Sequence, residues 1–175
     1  MNGFYILVIA VCVLLSGFFS ATETAFSSMN RTKLRTMAEK GNACARLACS
    51  LSDQYDKLLS TILIGNNIVN IACASVATIL FVGLCGDAGA TVSTVITTIV
   101  VLIFGEVSPK SIAKDCPEAF AMFSAPIIRV LVWVFSPLCF LFTQWKRLLS
   151  RMLHLTPDNR MSQEELLMLV DEVQQ

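Results

Sequence analysis

Two pairs of polar residues lie four positions apart inside apolar parts of the chain: Ser16 with Ser20, and Asn66 with Asn70. Four residues make about one helical turn, so each pair is predicted to share one helix face. Polar side chains in hydrocarbon need partners, which makes both pairs candidates for a binding site. The alternative is a structural role, because Ser and Asn commonly form hydrogen bonds between membrane helices.

A third cluster, residues 105–109, ends another apolar segment. Pro109 has no N–H and disfavours helix at Ser108, so the helix is predicted to unwind and free carbonyls such as that of Gly105. Broken helices beside a cavity are where membrane transporters build ion sites. The alternative is a simple helix stop with a solvated Glu106.

The three clusters offer hydroxyl, amide and carbonyl oxygens with one carboxylate, which together suit a hard cation. Mg²⁺ fits an octahedral oxygen shell at about 2.1 Å, and Na⁺ competes on ligand type alone. Softer metals are disfavoured, because the clusters hold no Cys or His. The seven cysteines form no C-x-x-C pair and the only histidine is His154, so no structural zinc site is predicted.

The elements that carry these clusters are apolar segments. Hydrophobic residues make up 55% of the 175 residues and charged residues 15%, against roughly 25% charged in soluble domains. A helix needs ~20 apolar residues to cross a bilayer, and three such spans are predicted at about 4–28, 58–82 and 88–106. We therefore predict an all-α integral membrane protein embedded in the lipid bilayer. The formal net charge of zero gives no electrostatic case for nucleic acid.

Basic residues set the predicted orientation. The connection between the first two spans holds six of them: Arg31, Lys33, Arg35, Lys40, Arg46 and Lys57. The next connection has Asp87 and no Lys or Arg, and Lys110 and Lys114 follow the third span. The positive-inside rule then places the N-terminus outside and the C-terminus in the cytoplasm.

A fourth apolar segment, at about 119–142, contains Pro126, Pro137 and Arg129. If it crossed the bilayer, three basic residues would follow it on the outer side: Lys146, Arg147 and Arg151. That would violate the same rule. We therefore predict a juxtamembrane cytoplasmic helix over about 119–150, with a true fourth span as the alternative.

The tail after the membrane segments has a different character. Ser162 and Glu165 form a capping-box pattern ahead of an amphipathic, acidic stretch. We predict a transmembrane domain over 1–155 and the start of a cytosolic acidic helical bundle over 156–175. The apolar face of that stretch needs a partner, so the natural protein is expected to continue.

Together the three motifs resemble the transmembrane domain of the CorC/cyclin M (CNNM) family of magnesium transporters over about residues 4–155. The matching stretches are Ser16-Gly-Phe-Phe-Ser20 with Glu23-Thr-Ala25, Gly65-Asn-Asn67 with Asn70, and Gly105-Glu-Val-Ser-Pro-Lys110. Each motif is weak alone, but the three occur in order and on the right segments.

The resemblance implies three transmembrane helices with a juxtamembrane helical belt. It also implies a homodimer in which each subunit holds a largely dehydrated Mg²⁺. The tail is similar to the bundle that leads, in the family, to a nucleotide-binding CBS pair downstream. Carried over by position, the metal ligands would be Ser16, Ser20, Asn66 and Asn70, with the Gly105 carbonyl and Glu106 completing or flanking the shell.

The function that we expect is magnesium transport across the plasma (inner) membrane, as efflux coupled to inward Na⁺. The alternative is a magnesium-sensing membrane regulator or scaffold that does not itself transport. An enzyme is not expected, because no nucleophile–base pair is visible at membrane depth. Ser16 and Ser20 have no His or Lys near them in the sequence.

Overall fold

The computed structural model describes residues 2–138 and residue 144, and this part of the chain is helical without strands. Residues up to 136 form one compact unit, which contains every contact described below. Its α-helices are α1 (Asn2–Ser28), α2 (Arg31–Glu39), α3 (Ala43–Asp53), α4 (Tyr55–Cys85), α5 (Gly89–Val100), α6 (Ser108–Asp115) and α7 (Pro117–Val134). A 3-10 turn, Gly86–Ala88, joins α4 to α5, and a π-helix, Val101–Val107, joins α5 to α6.

Three helical stretches are long and apolar enough to cross a membrane: Asn2–Ser28, Tyr55–Asp115 and Pro117–Val134. The middle stretch has 61 residues, about three times what one crossing needs. It turns back at Gly86, whose φ of +62° is one that glycine adopts most readily, and α5 then packs against α4. α1, α4 and the arm from α5 to α6 therefore supply three crossings.

Two short helices form what we call the polar end of the bundle, between α1 and α4. Asn30 caps α2 by accepting from the Lys33 amide, and Asn42 caps α3 by accepting from the Ala45 amide, each at 3.1 Å. Such caps satisfy amide groups that the first turn of a helix leaves unpaired. The basic connection is thus folded rather than extended.

α7 packs against this polar end. It contacts α1, α3 and the start of α4, and the Phe120 ring lies 6.3 Å from that of Phe18. Its buried residues join a core with residues of α2, α3, the C-terminal half of α1 and the N-terminal half of α4: Ala121, Ala125 and Ile128 with Phe26, Leu34, Ala45, Leu51 and Leu58. A helix that packs on a connecting helix at one end of a bundle suits a belt better than a span.

The predicted fold class, all-α and membrane-embedded, is confirmed. Pro126 does not end α7, which continues through it to Val134. The predicted juxtamembrane helix runs to about residue 150, and its part from 139 on lies outside the described residues except for residue 144. The predicted acidic bundle at 156–175 also lies outside them.

Candidate metal centre

Ser16 and Ser20 face the inside of the bundle, where they are 0% and 1% exposed. Gly17, next to Ser16, lets α1 come close to the arm that runs from α5 to α6. A Cβ at Gly17 would lie 3.1 Å from Pro109 Cγ and 3.2 Å from the Phe104 carbonyl oxygen. The small residue therefore allows the close approach that brings Ser16 to the π-helix.

Four of the predicted site residues meet through direct contacts. The Ser16 hydroxyl donates to Asn66 Oδ1 at 3.0 Å and lies 3.5 Å from the Gly105 carbonyl oxygen. The Asn70 amide nitrogen lies 3.5 Å from the same Asn66 Oδ1. Helices α1 and α4 and the π-helix thus each contribute to one group of oxygens, which we call the Ser16 cluster.

Two buried oxygens in this region have no hydrogen-bond partner among the described residues: Ser20 Oγ and Asn70 Oδ1. A buried acceptor without a partner costs roughly 1–3 kcal/mol, and hydrocarbon offers no water to compensate. A cation bound beside these oxygens would remove that cost. Ser20 Oγ and Asn70 Oδ1 are therefore candidate ligands for such a cation.

The chain does not unwind at residues 105–109, so that expectation was wrong. The backbone forms a π-helix up to Val107, and α6 then begins at Ser108 with Pro109 in its first turn. Pro109 has no N–H to donate to the carbonyl four residues back, that of Gly105, and its ring would crowd that carbonyl in an α-helix. The wider π turn accommodates the proline while the Gly105 oxygen remains within reach of Ser16.

Glu106 faces a different part of the structure from the Gly105 carbonyl. It lines a cavity of about 270 Å³ between α4 and α5, which Asn70 also lines. Within the described residues, no hydrogen bond or ion pair joins Glu106 to the Ser16 cluster. Asn70 is the residue that connects the cluster to the cavity.

Two ion pairs lie beside the centre, toward the polar end. Lys110 Nζ is 3.3 Å from Glu23 Oε2, which ties α6 to α1. Lys33 Nζ is 3.1 Å from Glu118 Oε2, and the Asn30 amide donates to Glu118 Oε1 at 3.2 Å. The Lys33 hydrogen bond, followed by the Asn30 amide, holds the pKa of Glu118 below its ordinary value.

The chemistry of the centre is that of neutral oxygens. Among the described residues, no group of three or more His, Cys, Asp and Glu is placed to hold a metal ion. Hydroxyl, amide and carbonyl oxygens with one nearby carboxylate instead suit a hard cation such as Mg²⁺ or Na⁺.

A family model described as the cyclin M transmembrane N-terminal domain matches residues 7–175. This chain belongs to the cyclin M family.

Several relatives of this cyclin M domain carry general names. It is 37% identical over 169 residues to a UPF0053 protein of Haemophilus influenzae, covering 95% of this chain and 40% of that protein. It is 40% identical over 162 residues to the UPF0053 inner membrane protein YfjD of Escherichia coli, covering 90% and 38%. A chloroplastic DUF21 domain-containing protein of Arabidopsis thaliana is 33% identical over 130 residues, covering 73% and 19%. The chain spans about two fifths of the length of the two bacterial relatives.

The structure of this cyclin M domain places the six predicted site residues differently. Direct contacts join Ser16, Asn66, Asn70 and Gly105. Glu106 shares the cavity with Asn70. Ser20 is buried one turn from Ser16, and its hydroxyl has no hydrogen-bond partner among the described residues. Sequence reasoning gave no role to the hydroxyl residues of α5 that line the cavity. The sequence did contain a signal for them, because the spacing of Ser93, Thr94, Thr97 and Thr98 places their hydroxyls on one side of a helix.

Proposed function

We propose that this chain carries Mg²⁺ across a membrane, with the Ser16 cluster as its dehydrated binding site. The single observation that carries the proposal is the meeting of Ser16, Asn66 and Gly105 from three separate elements beside the unpaired Asn70 oxygen. The choice of Mg²⁺ over Na⁺ rests on the family, whose resemblance implies magnesium transport.

The ligands that we propose are Ser16, Ser20, Asn66 and Asn70 through their side chains, with the Gly105 carbonyl and Glu106 completing or flanking the shell. A mostly neutral shell should hold a divalent cation only moderately, because each carboxylate adds much of the binding energy. Moderate binding suits a carrier, which must release its ion on the other side. We propose efflux, driven by inward Na⁺.

We propose the plasma (inner) membrane as the location, with the N-terminus outside and the C-terminus in the cytoplasm. The basic connection in α2 and α3 supports this orientation. The name of the Escherichia coli relative, an inner membrane protein, supports the compartment.

We also propose a homodimer. Asn67 is exposed on α4 within a membrane crossing, where an amide facing lipid would be left unsatisfied. Polar side chains in such positions commonly pair across helix–helix interfaces. A second copy of the chain on this face would supply that partner.

We further propose, from the family resemblance, that a CBS pair follows downstream in the full-length protein.

Magnesium flux into sealed proteoliposomes, followed with a trapped Mg²⁺-sensitive dye, tests the transport proposal. We expect flux above that of empty vesicles, and a loss of about tenfold in Asn66→Ala, because the central acceptor of the cluster is removed. Glu106→Gln should also slow the flux.

Ser75→Ala is the matched control on the same helix, since Ser75 is exposed and its hydroxyl donates to the carbonyl of Ile71 at 2.9 Å. It should transport like the wild type. Magnesium binding without flux would show a sensor or scaffold instead of a transporter, and equal flux by wild type and Asn66→Ala would contradict the assigned site.

A further inference from the structure

The cavity between α4 and α5 is a groove inside the membrane part of the molecule, and both polar and apolar side chains line it. Its α4 wall carries Asn70, Ala74 and Thr78 at four-residue intervals, so these residues form one line along the helix. The other wall, from α5 and the π-helix, is made of Ser93, Thr94, Thr97, Thr98, Val101, Leu102 and Glu106. Five of the ten lining residues carry a hydroxyl.

The groove is closed at the end near the α4–α5 turn. Ser93 is 1% exposed, and its hydroxyl lies 3.5 Å from that of Thr78 across the groove. One turn further on, Gly89 packs against the Phe81 backbone so closely that a Cβ there would clash with it. The two helices touch at this end and leave space between them toward the Ser16 cluster.

The hydroxyls leave oxygen lone pairs available to a ligand. Those of Thr78 and Thr94 donate to carbonyls one turn back, at 2.8 and 2.9 Å, so their oxygens remain acceptors. Those of Thr97 and Thr98 make no hydrogen bond within the described residues. The O–H groups of Thr97 and Thr98 can still donate, but their oxygens, like those of Thr78 and Thr94, can accept hydrogen bonds from the water shell of a cation.

The other end of the groove carries the one charged residue that lines it within the described part of the chain. Glu106 lines it together with Asn70, whose Oδ1 is buried and unpaired. The nearby Lys110 is paired with Glu23, so the carboxylate is not neutralised by it. The groove therefore attracts cations and delivers them to the residue that also belongs to the Ser16 cluster.

The groove has more room for a ligand than the Ser16 cluster has. One water takes about 30 Å³ of liquid volume, so a cation with six waters needs on the order of 180 Å³ and fits in the cavity of about 270 Å³. In the cluster, by contrast, Ser16 and Asn66 already touch at 3.0 Å. A cation there must have shed its water.

We infer that the groove is a second cation site, which holds Mg²⁺ with most of its water before or after the ion occupies the dehydrated Ser16 cluster. The inference rests on the proposed function. The hydroxyls of Thr97 and Thr98 act as hydrogen-bond acceptors for the ion's water shell, and Glu106 supplies the charge. Thr94 and Thr98 are exposed at one edge, which the second copy in the proposed homodimer would cover.

Cobalt(III) hexaammine is a suitable probe, because it has the size and shape of hexahydrated Mg²⁺ and does not exchange its ligands. It should enter the groove but not the Ser16 cluster. We expect isothermal titration of purified protein in uncharged detergent to show hexaammine binding that weakens about tenfold in the double variant Thr97→Val/Thr98→Val. Glu106→Gln should weaken it as well.

Two further variants separate the groove from the cluster and from general effects. Ser16→Ala should lose the Mg²⁺ binding that depends on the Ser16 cluster, while it keeps the binding of hydrated Mg²⁺ in the groove and binds hexaammine like the wild type. The double variant Ser75→Ala/Thr91→Val removes two hydroxyls outside the groove and should behave like the wild type with both probes. Thermal unfolding of each variant checks that it is folded.

Hexaammine binding alone tests whether the groove is a cation site, and this binding does not require transport. Absence of hexaammine binding by the wild type, or equal binding by Thr97→Val/Thr98→Val, would overturn this inference while the proposed function could stand. Absence of Mg²⁺ flux with groove-dependent hexaammine binding would instead overturn the proposed function and keep the groove.

Discussion

Gly105 shows how one residue serves both the fold and the site. Its carbonyl lies 3.5 Å from the Ser16 hydroxyl, and its missing side chain leaves room for Ser16. A Cβ there would lie 3.0 Å from Ser16 Oγ and 3.3 Å from Ser16 Cβ, both tighter than ordinary van der Waals contact. The glycine is thus required by the spacing of α1 and the π-helix.

The variant Gly105→Ala should displace Ser16 by a few tenths of an ångström and weaken Mg²⁺ binding. We expect the Kd to rise about tenfold, which corresponds to ~1.4 kcal/mol, while the protein stays folded. Isothermal titration measures the change. Gly83→Ala is the matched control, because nothing lies within 4 Å of a Cβ at Gly83. Unchanged Mg²⁺ binding by Gly105→Ala would contradict the importance of the close approach between Ser16 and Gly105.

At the residue scale, the sequence predicted the faces but not the contacts. The four-residue spacings put Ser16 with Ser20, and Asn66 with Asn70, on shared helix faces. Which member of one pair meets which member of the other depends on the register between helices, which spacing alone does not determine. The structure joins Ser16 to Asn66 and leaves Ser20 Oγ and Asn70 Oδ1 without partners.

At the scale of elements, α7 is held to the polar end by its first turn. Glu118 accepts from both Lys33 and the amide of Asn30, at the start of α2. A carboxylate at a helix N-terminus is further favoured by the helix dipole. This contact fixes where α7 begins and supports its place along the bundle end.

The Glu118 contact should make stability depend on pH. Because its pKa in the folded protein lies below the ordinary value of 4.5, its contribution is present above about pH 4.5 and is lost as the pH falls through the folded pKa. Glu118→Gln should therefore melt about 1–3 °C below the wild type at pH 7. The gap should narrow as the pH drops below 4.5.

Thermal unfolding in detergent between pH 3 and pH 7 measures this gap. Glu39→Gln is the control, since Glu39 is an exposed residue at the end of α2 and its loss should leave the pH profile unchanged. A gap between wild type and Glu118→Gln that stays constant over the whole range would contradict the proposed role of the ion pair.

Among the elements, the apolar helices were predictable, whereas the short helices α2 and α3 and the π-helix were not. Apolar length and the basic connection predicted three crossings and a fourth helix that packs elsewhere. Pro109 lacks the amide that would pair with the Gly105 carbonyl, but the chain stays helical through it into α6 instead of unwinding as predicted. The sequence could not show that the chain would widen into a π turn, since that choice depends on the packing of Gly17 against Pro109 and Phe104.

At the scale of the whole molecule, the three crossings bring an oxygen cluster and a hydroxyl-lined groove to adjoining positions. Asn70 belongs to both, because its amide contacts Asn66 and its side chain lines the groove. In the proposed scheme, the groove holds a hydrated cation and the Ser16 cluster a bare one. A carrier needs both environments, since an ion enters from water and must be selected without it.

The central claim is that a cation completes the Ser16 cluster, and isothermal titration of the purified protein with Mg²⁺ tests it most directly. Asn70 is the residue to change, because its buried Oδ1 lacks a partner and should gain one from the ion. We predict saturable Mg²⁺ binding by the wild type and by Ser75→Ala, and a Kd at least about tenfold higher for Asn70→Ala. Mg²⁺ binding of equal strength by Asn70→Ala and the wild type would contradict the account.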